Sequence, residues 1–455
     1  MSYKPNSAAA RDVAYLLHPY TNFEAHESQG PMIIERGEGI YVFDDQGRRY
    51  IEGLAGLWCA GLGFSEKRLV EAAHRQLDTL PYAHTFAHRS CQTVIDLAEK
   101  LISVAPEPMS KAFFCCSGSE AIDSAIKFAW YYNNALGRPE KKKVITRDRA
   151  YHGVTIAGGA MTRLAYVQEG FDLPQSHVRH TDAPCYYRNA EAGESEEEFS
   201  RRMVDNLEQL IVDEGPETIA AFFAEPVMGA GGVITPPEGY FKGVQAVLRK
   251  HDILFVADEV ICGLGRTGNM WGCETYDLRP DMITCAKQLS SAYMPVAAVL
   301  VSQKVYEAFR DFSARLGTFG TGFTYSGHPV GSSVALETLK IYESDDIVGH
   351  VRAVAPRFLE RLRALEASPL VGEARGIGLI GGLEVVADKT TREQFAPERK
   401  VSHQVTAKAL EEGLMVRPLT GDVVAVCPPL IITEAEIDDL FDRLTRAFER
   451  TAAEV

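Results

Sequence analysis

The chain has 455 residues, 46% of them hydrophobic, enough to bury a large core and to divide into two or three domains. Its 62 acidic and 47 basic residues give a formal charge of −15, which argues against nucleic acid or an anionic membrane as the main partner, and no run has the length needed to span a bilayer. The opening MSYKPNSAAARD lacks the apolar core of a signal peptide, and the nine cysteines offer no CxxC pair or Cys/His ligand spacing, so a cytoplasmic protein with reduced cysteines and no metal site is expected.

Between about residues 70 and 335, short apolar runs alternate with helix-like segments. KAFFCCS (111–117) reads as a strand, and Ser119–Tyr132 as a helix with Ile122, Ala125, Ile126 and Ala129 at helical spacing. KKVITR (142–147) is a second strand. The acidic stretch from Glu191 to Phe199 reads as a solvated loop entering a helix. Further strands are IAAFFAEPV (219–227), ILFVADEV (253–260), DMITCAK (281–287) and PVAAVLV (295–301), with a helix over Tyr240–His251. The alternation predicts an α/β domain with a mainly parallel, buried sheet. After residue 335 come a helix, a Gly-rich strand (376–386), a helix over Lys400–Glu412, more strands and a closing helix over Glu434–Thr451, which reads as a smaller α+β domain. The spacing Gly376-x-Gly378-x-x-Gly381 matches a dinucleotide-binding fingerprint in form only, because it leads into a strand instead of a helix.

Five features carry chemistry. Lys287 is the only charged residue between Met282 and Gln303. A buried ammonium is costly unless neutralised, paired or covalently bonded, and a lysine of depressed pKa is a nucleophile suited to a Schiff base. FVADEV (255–260) ends a hydrophobic strand in Asp258 and Glu259, where ligands of open α/β sheets gather. A buried aspartate needs a cation, and a protonated pyridine nitrogen is one. CSGSE (116–120) is a Gly/Ser turn opening a helix, suited to a phosphate. Tyr151-His152-Gly153 puts an aromatic ring after a strand, and GTGFTYSGH (320–328) offers Thr324 as a hydroxyl donor.

The motifs SGSEA, YHG, AEP, ADEVICGLGRTG, DMITCAKQLS and GFTYSGHP, in this order and spacing over nearly the whole chain, resemble those of class III pyridoxal phosphate aminotransferases, the group that includes ω-amino acid and amine:pyruvate transaminases. The resemblance implies fold type I: residues 71–335 as a large cofactor-binding domain with a mainly parallel seven-stranded sheet, and a smaller α+β domain built from residues 1–70 and 336–455. It implies pyridoxal 5'-phosphate as cofactor, Lys287 as the Schiff-base lysine, Asp258 on the pyridine nitrogen, and Tyr151 and Val260 on opposite ring faces. Ser117, Gly118 and Ser119 would hold the phosphate, with His152 and Glu225 also in the cofactor set. Phe323 and Thr324 would come from the partner subunit of a homodimer, which could pair further into a tetramer. One departure is Ser291-Ala292-Tyr293, where the family commonly has a glycine in place of Ala292; a positive φ there would cost strain.

Relatives acting on GABA or ornithine with 2-oxoglutarate typically carry a second glutamate and a C-terminal arginine, and this chain has Ala230 and Ala425 at those places. Arg417, in GLMVRP, matches the mobile arginine of amine:pyruvate transaminases, and Trp58 and Phe86 match pocket positions of that subgroup. The resemblance therefore implies transfer of the amino group of a terminal primary amine or ω-amino acid to a 2-oxo acid acceptor, pyruvate. The alternatives are a 2-oxoglutarate-linked aminotransferase, a dialkyl amino acid decarboxylase or an aminomutase on the same scaffold.

Overall fold

The computed structural model describes residue 4 and residues 6–455. Its centre is a seven-stranded sheet of β1 (Met109–Cys115), β2 (Lys143–Arg147), β3 (Val178–Thr181), β4 (Ile219–Ala224), β5 (Leu254–Asp258), β6 (Met282–Cys285) and β7 (Ala297–Ser302), in the order β1-β7-β6-β5-β4-β2-β3. Only β7 runs against its neighbours. The central strands are apolar at nearly every position because both faces are covered. Phe222, Ala224, Phe255, Ala257 and Ile283 belong to one core, whereas Ala221, Phe223, Leu254, Val256 and Met282 belong to the other. This alternation with period two is what a strand between two helical layers requires. Each fully buried Phe or Val contributes about 1.5–3 kcal/mol relative to exposure, so the sheet is a stiff platform for its loop ends.

The helix Gly118–Ala135 lies over the second of these cores, with Ala121, Ile122, Ala125, Ile126 and Ala129 inward. Its start is set by Ser117, whose side chain accepts from the Glu120 N–H at 3.2 Å. The acidic run 191–199 is a turn and then a helix, Glu196–Glu214, opened by a capping box of Ser195 and Glu198.

Outside the large sheet, strands Ile34–Glu38, Tyr41–Asp44 and Arg49–Glu52 form a meander that is completed by Leu414–Met415, with Ile51 opposite Leu414. A second four-stranded sheet joins Val371–Ile377, Ile380–Val385, Val423–Val426 and Arg417–Leu419. The Gly-rich run expected as one strand is instead a hairpin. Gly378 takes φ +55 at its turn, and a Cβ there would lie 2.3 Å from the Arg266 carbonyl oxygen, so only glycine fits. The helix Pro329–Ser344 spans residue 335, and another, Ile347–Ala364, follows. Among the described residues, no helix is long and apolar enough to cross a membrane.

Candidate active site

The carboxyl ends of β5 and β6, the turn after β1 and the segment after β2 converge on a cavity of about 300 Å³. Ser117, Gly118, Ser119, Tyr151, His152, Glu225, Asp258, Val260 and Lys287 all line it, although they span 170 residues of sequence. Parallel strands bring this about by pointing their loop ends the same way.

Lys287 follows β6 directly and opens a short 3₁₀ turn, Lys287–Ser290, in the left-handed conformation at φ +44. Such a backbone is costly for a residue with a Cβ and persists only where surrounding structure enforces it. Burial pulls the Lys287 pKa below its ordinary value, and the nearby negative charge of Asp258 opposes that shift only in part.

Asp258 is buried and fully engaged. One oxygen contacts His152 Nδ1 at 2.8 Å, and the other accepts from the Val260 N–H at 3.1 Å and the Thr284 hydroxyl at 3.3 Å. His152 Nε2 lies 2.9 Å from the Thr146 hydroxyl oxygen, so a chain of three side chains runs from β2 to the end of β5. Glu225 accepts from the Tyr151 N–H at 3.1 Å and the Gly229 N–H at 2.9 Å, which fixes the loop that carries Tyr151. Burial raises the Glu225 pKa. Glu259, paired with Asp258 in the sequence reading, faces away from the cavity. It accepts the Gly272 and Cys273 N–H groups at 2.9 and 2.5 Å, and burial lifts its pKa to about 7. Successive residues leaving a strand point to opposite sides, and only Asp258 points inward.

The Ser/Gly turn is shaped for close approach. A Cβ on Gly118 would meet Val260 Cγ1 at 3.1 Å, and one on Gly153 would meet Ser119 Oγ at 2.4 Å. Ser119 Oγ also accepts from the Val154 N–H at 3.2 Å, joining the turn to the YHG loop.

Five residues singled out in sequence lie outside the cavity lining. Trp58 is buried in a tight turn at φ +61 and packs against Gly229, where a Cβ would lie 2.6 Å from its ring; its indole N–H has no partner among the described residues. Phe86 is 45% exposed and lies against Gly322. Phe323 packs at the edge of a core beside Phe113, and Thr324 is exposed, its carbonyl accepting from Tyr82 at 2.8 Å. Arg417 opens its strand opposite Ala425, close enough for its charge to act on both Tyr151 and Tyr166. The structure adds two residues that sequence reasoning missed. Tyr20 Oη lies 3.2 Å from Tyr151 Oη, and its ring meets Tyr166 edge-on at 5.9 Å. Burial, and then Tyr20, raise the Tyr151 pKa. The only signal for Tyr20 was an aromatic in an unpatterned segment.

A nucleophilic lysine, a buried aspartate for a ring cation, a glycine-floored helix N-terminus for a phosphate and an aromatic wall together fit pyridoxal phosphate in size and in donor set. This combination on a seven-stranded, mostly parallel sheet defines a pyridoxal phosphate-dependent transferase of fold type I.

Comparison with known proteins makes the class specific. Residues 23–448 match the family profile described as aminotransferase class-III. The omega transaminase from Pseudomonas jessenii in complex with PMP is 51% identical, covers 99% of both chains and superposes with a TM-score of 0.97. A thermostable omega transaminase variant with a tryptophan, a phenylalanine and an arginine replaced, engineered for asymmetric synthesis of enantiopure bulky amines, is 50% identical with a TM-score of 0.96, over 98% of this chain and all of that one. The mitochondrial gamma aminobutyrate transaminase 1 of Solanum lycopersicum is 50% identical over 441 residues, 97% of this chain and 85% of that protein. The chain belongs to the class III aminotransferases and is a pyridoxal phosphate-dependent aminotransferase.

Proposed function

We propose that the enzyme moves the amino group of a terminal primary amine or ω-amino acid to pyruvate, giving an aldehyde or ketone and alanine. The observation that carries this reading is Arg417 beside Tyr151 and Tyr166, with Ala230 and Ala425 in place of a second glutamate and a fixed arginine. An arginine at the rim binds a carboxylate bidentately when the 2-oxo acid is present, and the tyrosine rings offer apolar surface to an uncharged amine. The engineered relative, in which residues of the same three types as Trp58, Phe86 and Arg417 were replaced to admit bulky amines, supports the same pocket. The names of the plant relatives favour GABA, itself an ω-amino acid, as one donor to test.

Bound pyridoxal phosphate supplies an electron sink for negative charge developing at the substrate's amino carbon. Ser117, Gly118 and Ser119 would hold its phosphate, and Tyr151 and Val260 would line its ring. Asp258 would keep positive charge on the ring nitrogen, and His152, backed by Thr146, holds the carboxylate in place. Lys287 would anchor the group when substrate is absent. Once freed, its Nζ would take the proton from the amino carbon, and its lowered pKa makes the neutral amine more available than in an exposed lysine.

The reading includes a homodimer in which Phe323 and Thr324 enter the partner's site. Exposed Phe86, Tyr82 and Tyr325 around that loop support it, since clustered apolar surface marks an interface. It also includes a small domain made of residues 1–70 and 336–455, supported by the pairing of Ile51 with Leu414. A cytoplasmic location stays with the reading.

The test is a half-reaction panel. Candidate amines, GABA, a diamine, an arylalkylamine and α-amino acids are added to the yellow holoenzyme, and loss of its visible band is timed; pyruvate or 2-oxoglutarate is then added to restore it. Fast bleaching by terminal amines and recovery with pyruvate are expected. Bleaching by α-amino acids alone, or recovery only with 2-oxoglutarate, would sink the assignment.

A further inference from the structure

Residues 6–30 carry two short helices, Ala8–Tyr15 and Phe23–Gln29, neither of which buries a single residue. A helix–loop–helix of this size has no core of its own, and it needs a staple to hold a fixed shape. What joins the two helices is a polar trio. Asp12 Oδ1, from the first helix, lies 2.8 Å from His18 Nε2 in the loop and 3.0 Å from His26 Nε2 in the second helix. All three ligand atoms lie within 4.8 Å of one another, and the two imidazole rings are 4.2 Å apart.

We propose that Asp12, His18 and His26 form a binding site for a divalent transition cation of the Zn²⁺ type, which clamps the N-terminal helix–loop–helix. Two imidazoles and a carboxylate are a ligand set that Zn²⁺ and its neighbours favour, with one position left for water. Metal–ligand bonds of about 2.0–2.1 Å in a tetrahedron put ligand atoms about 3.3 Å apart. The observed 2.8 and 3.0 Å are thus close to the required spacing, and the ligands need only spread by a few tenths of an ångström. Coordination replaces the two Nε2–H···Oδ1 hydrogen bonds: in each neutral ring the proton moves from Nε2 to Nδ1, and the freed Nε2 lone pair binds the cation. Entry is open, as the side chains of Asp12 and His18 keep 20% and 25% of their surface exposed. The clamp has a consequence for the cavity, because the loop it closes carries Tyr20, which meets Tyr151 at the mouth.

The experiment uses chelator-treated holoenzyme and Zn²⁺ alone. Equilibrium dialysis at low micromolar free Zn²⁺, read by elemental analysis, is expected to give one more cation per chain in the parent than in Asp12→Asn, His18→Gln or His26→Gln. Co²⁺ should produce a visible ligand-field band in the parent that His26→Gln lacks. Equal stoichiometry and equal Co²⁺ spectra in parent and variants would overturn the site. Proteolysis within residues 8–29 should slow several-fold with Zn²⁺ in the parent alone, and an unchanged rate would overturn the clamp. The amine half-reaction of the three variants stays measurable in the absence of metal, so failure here is distinct from failure of the transaminase reading.

Discussion

The floor of the cavity and its rim are built by different rules. On the floor, Asp258, His152, Thr146 and Glu225 are buried; Thr146, His152 and Asp258 hold one another by bonds of 2.8–2.9 Å, Thr284 and the Val260 N–H complete Asp258, and Glu225 is held by the Tyr151 and Gly229 N–H groups. At the rim, Tyr20, Tyr166 and Arg417 come from three distant segments, and two of them are exposed. A low-dielectric, fully bonded floor keeps charges where the chemistry needs them, while an open rim lets the same chemistry meet different amines. Changes to the floor should therefore act on every substrate alike, and changes to the rim should separate one substrate from another.

The largest effect is expected at Lys287. Lys287→Ala should lower turnover about 10⁴-fold or more for every donor, read by alanine formed per holoenzyme, with the fold intact by circular dichroism. A donor-selective loss would break the division between floor and rim. Asp258→Asn should follow, with about a 10²-fold fall in kcat across donors and a weakened hold on the cofactor, measured by its dissociation on dilution. Thr146→Val tests the support behind it, and a smaller loss, again uniform across donors, is expected.

Arg417→Ala should do the reverse and discriminate. It removes a charge-assisted contact of about 1.5–3 kcal/mol, so KM for pyruvate should rise about 10- to 100-fold while the half-reaction with an uncharged arylalkylamine keeps its rate. Equal losses in both half-reactions would place Arg417 with the floor.

The pH prediction sharpens the role of burial. Because the folded Lys287 binds its proton more weakly than the ordinary lysine value of 10.5, its neutral amine accumulates at lower pH. Capture of pyridoxal phosphate by the apoenzyme should accelerate as pH rises and level off below 10.5. The linked stability has the same sign: apoprotein gains stability as pH rises from the folded pKa toward 10.5, since the unfolded chain binds the extra proton in that window. A midpoint at or above the ordinary value would contradict the buried setting.

The smallest effect is expected at Ala292, which lines the cavity at φ +66. The left-handed backbone costs a residue with a Cβ about 1–2 kcal/mol, partly offset by the entropy that glycine loses on folding, so Ala292→Gly should stabilise the protein by about 0.5–1 kcal/mol in urea unfolding. Activity should change little.

Much of the floor was legible because chemistry and secondary structure mark the same residues. A lone lysine after an apolar strand, an aspartate ending another and a Ser/Gly turn opening a helix each combine a local pattern with a functional group. Glu259 shows the limit, since adjacency in FVADEV could not tell which carboxylate turns inward until the strand's pleat was known. The Gly-rich run 376–386 shows another: continuous hydrophobicity reads as one strand, and only the approach of the Arg266 carbonyl to Gly378 forces the hairpin. At the rim, Tyr20, Tyr166 and the Asp12, His18 and His26 trio carry no pattern at all, because their meaning comes from contacts between segments.

By itself, the sequence determined the two-faced hydrophobic strands, the helix caps and the groups able to do the chemistry, since these follow from periodicity, local hydrogen bonding and side-chain type. Only the tertiary structure decided which of those groups share a cavity, which of two neighbouring carboxylates points into it, and how an N-terminal segment reaches Tyr151. Those outcomes depend on strand order and on the packing of residues far apart in the chain, for which no local energy term exists.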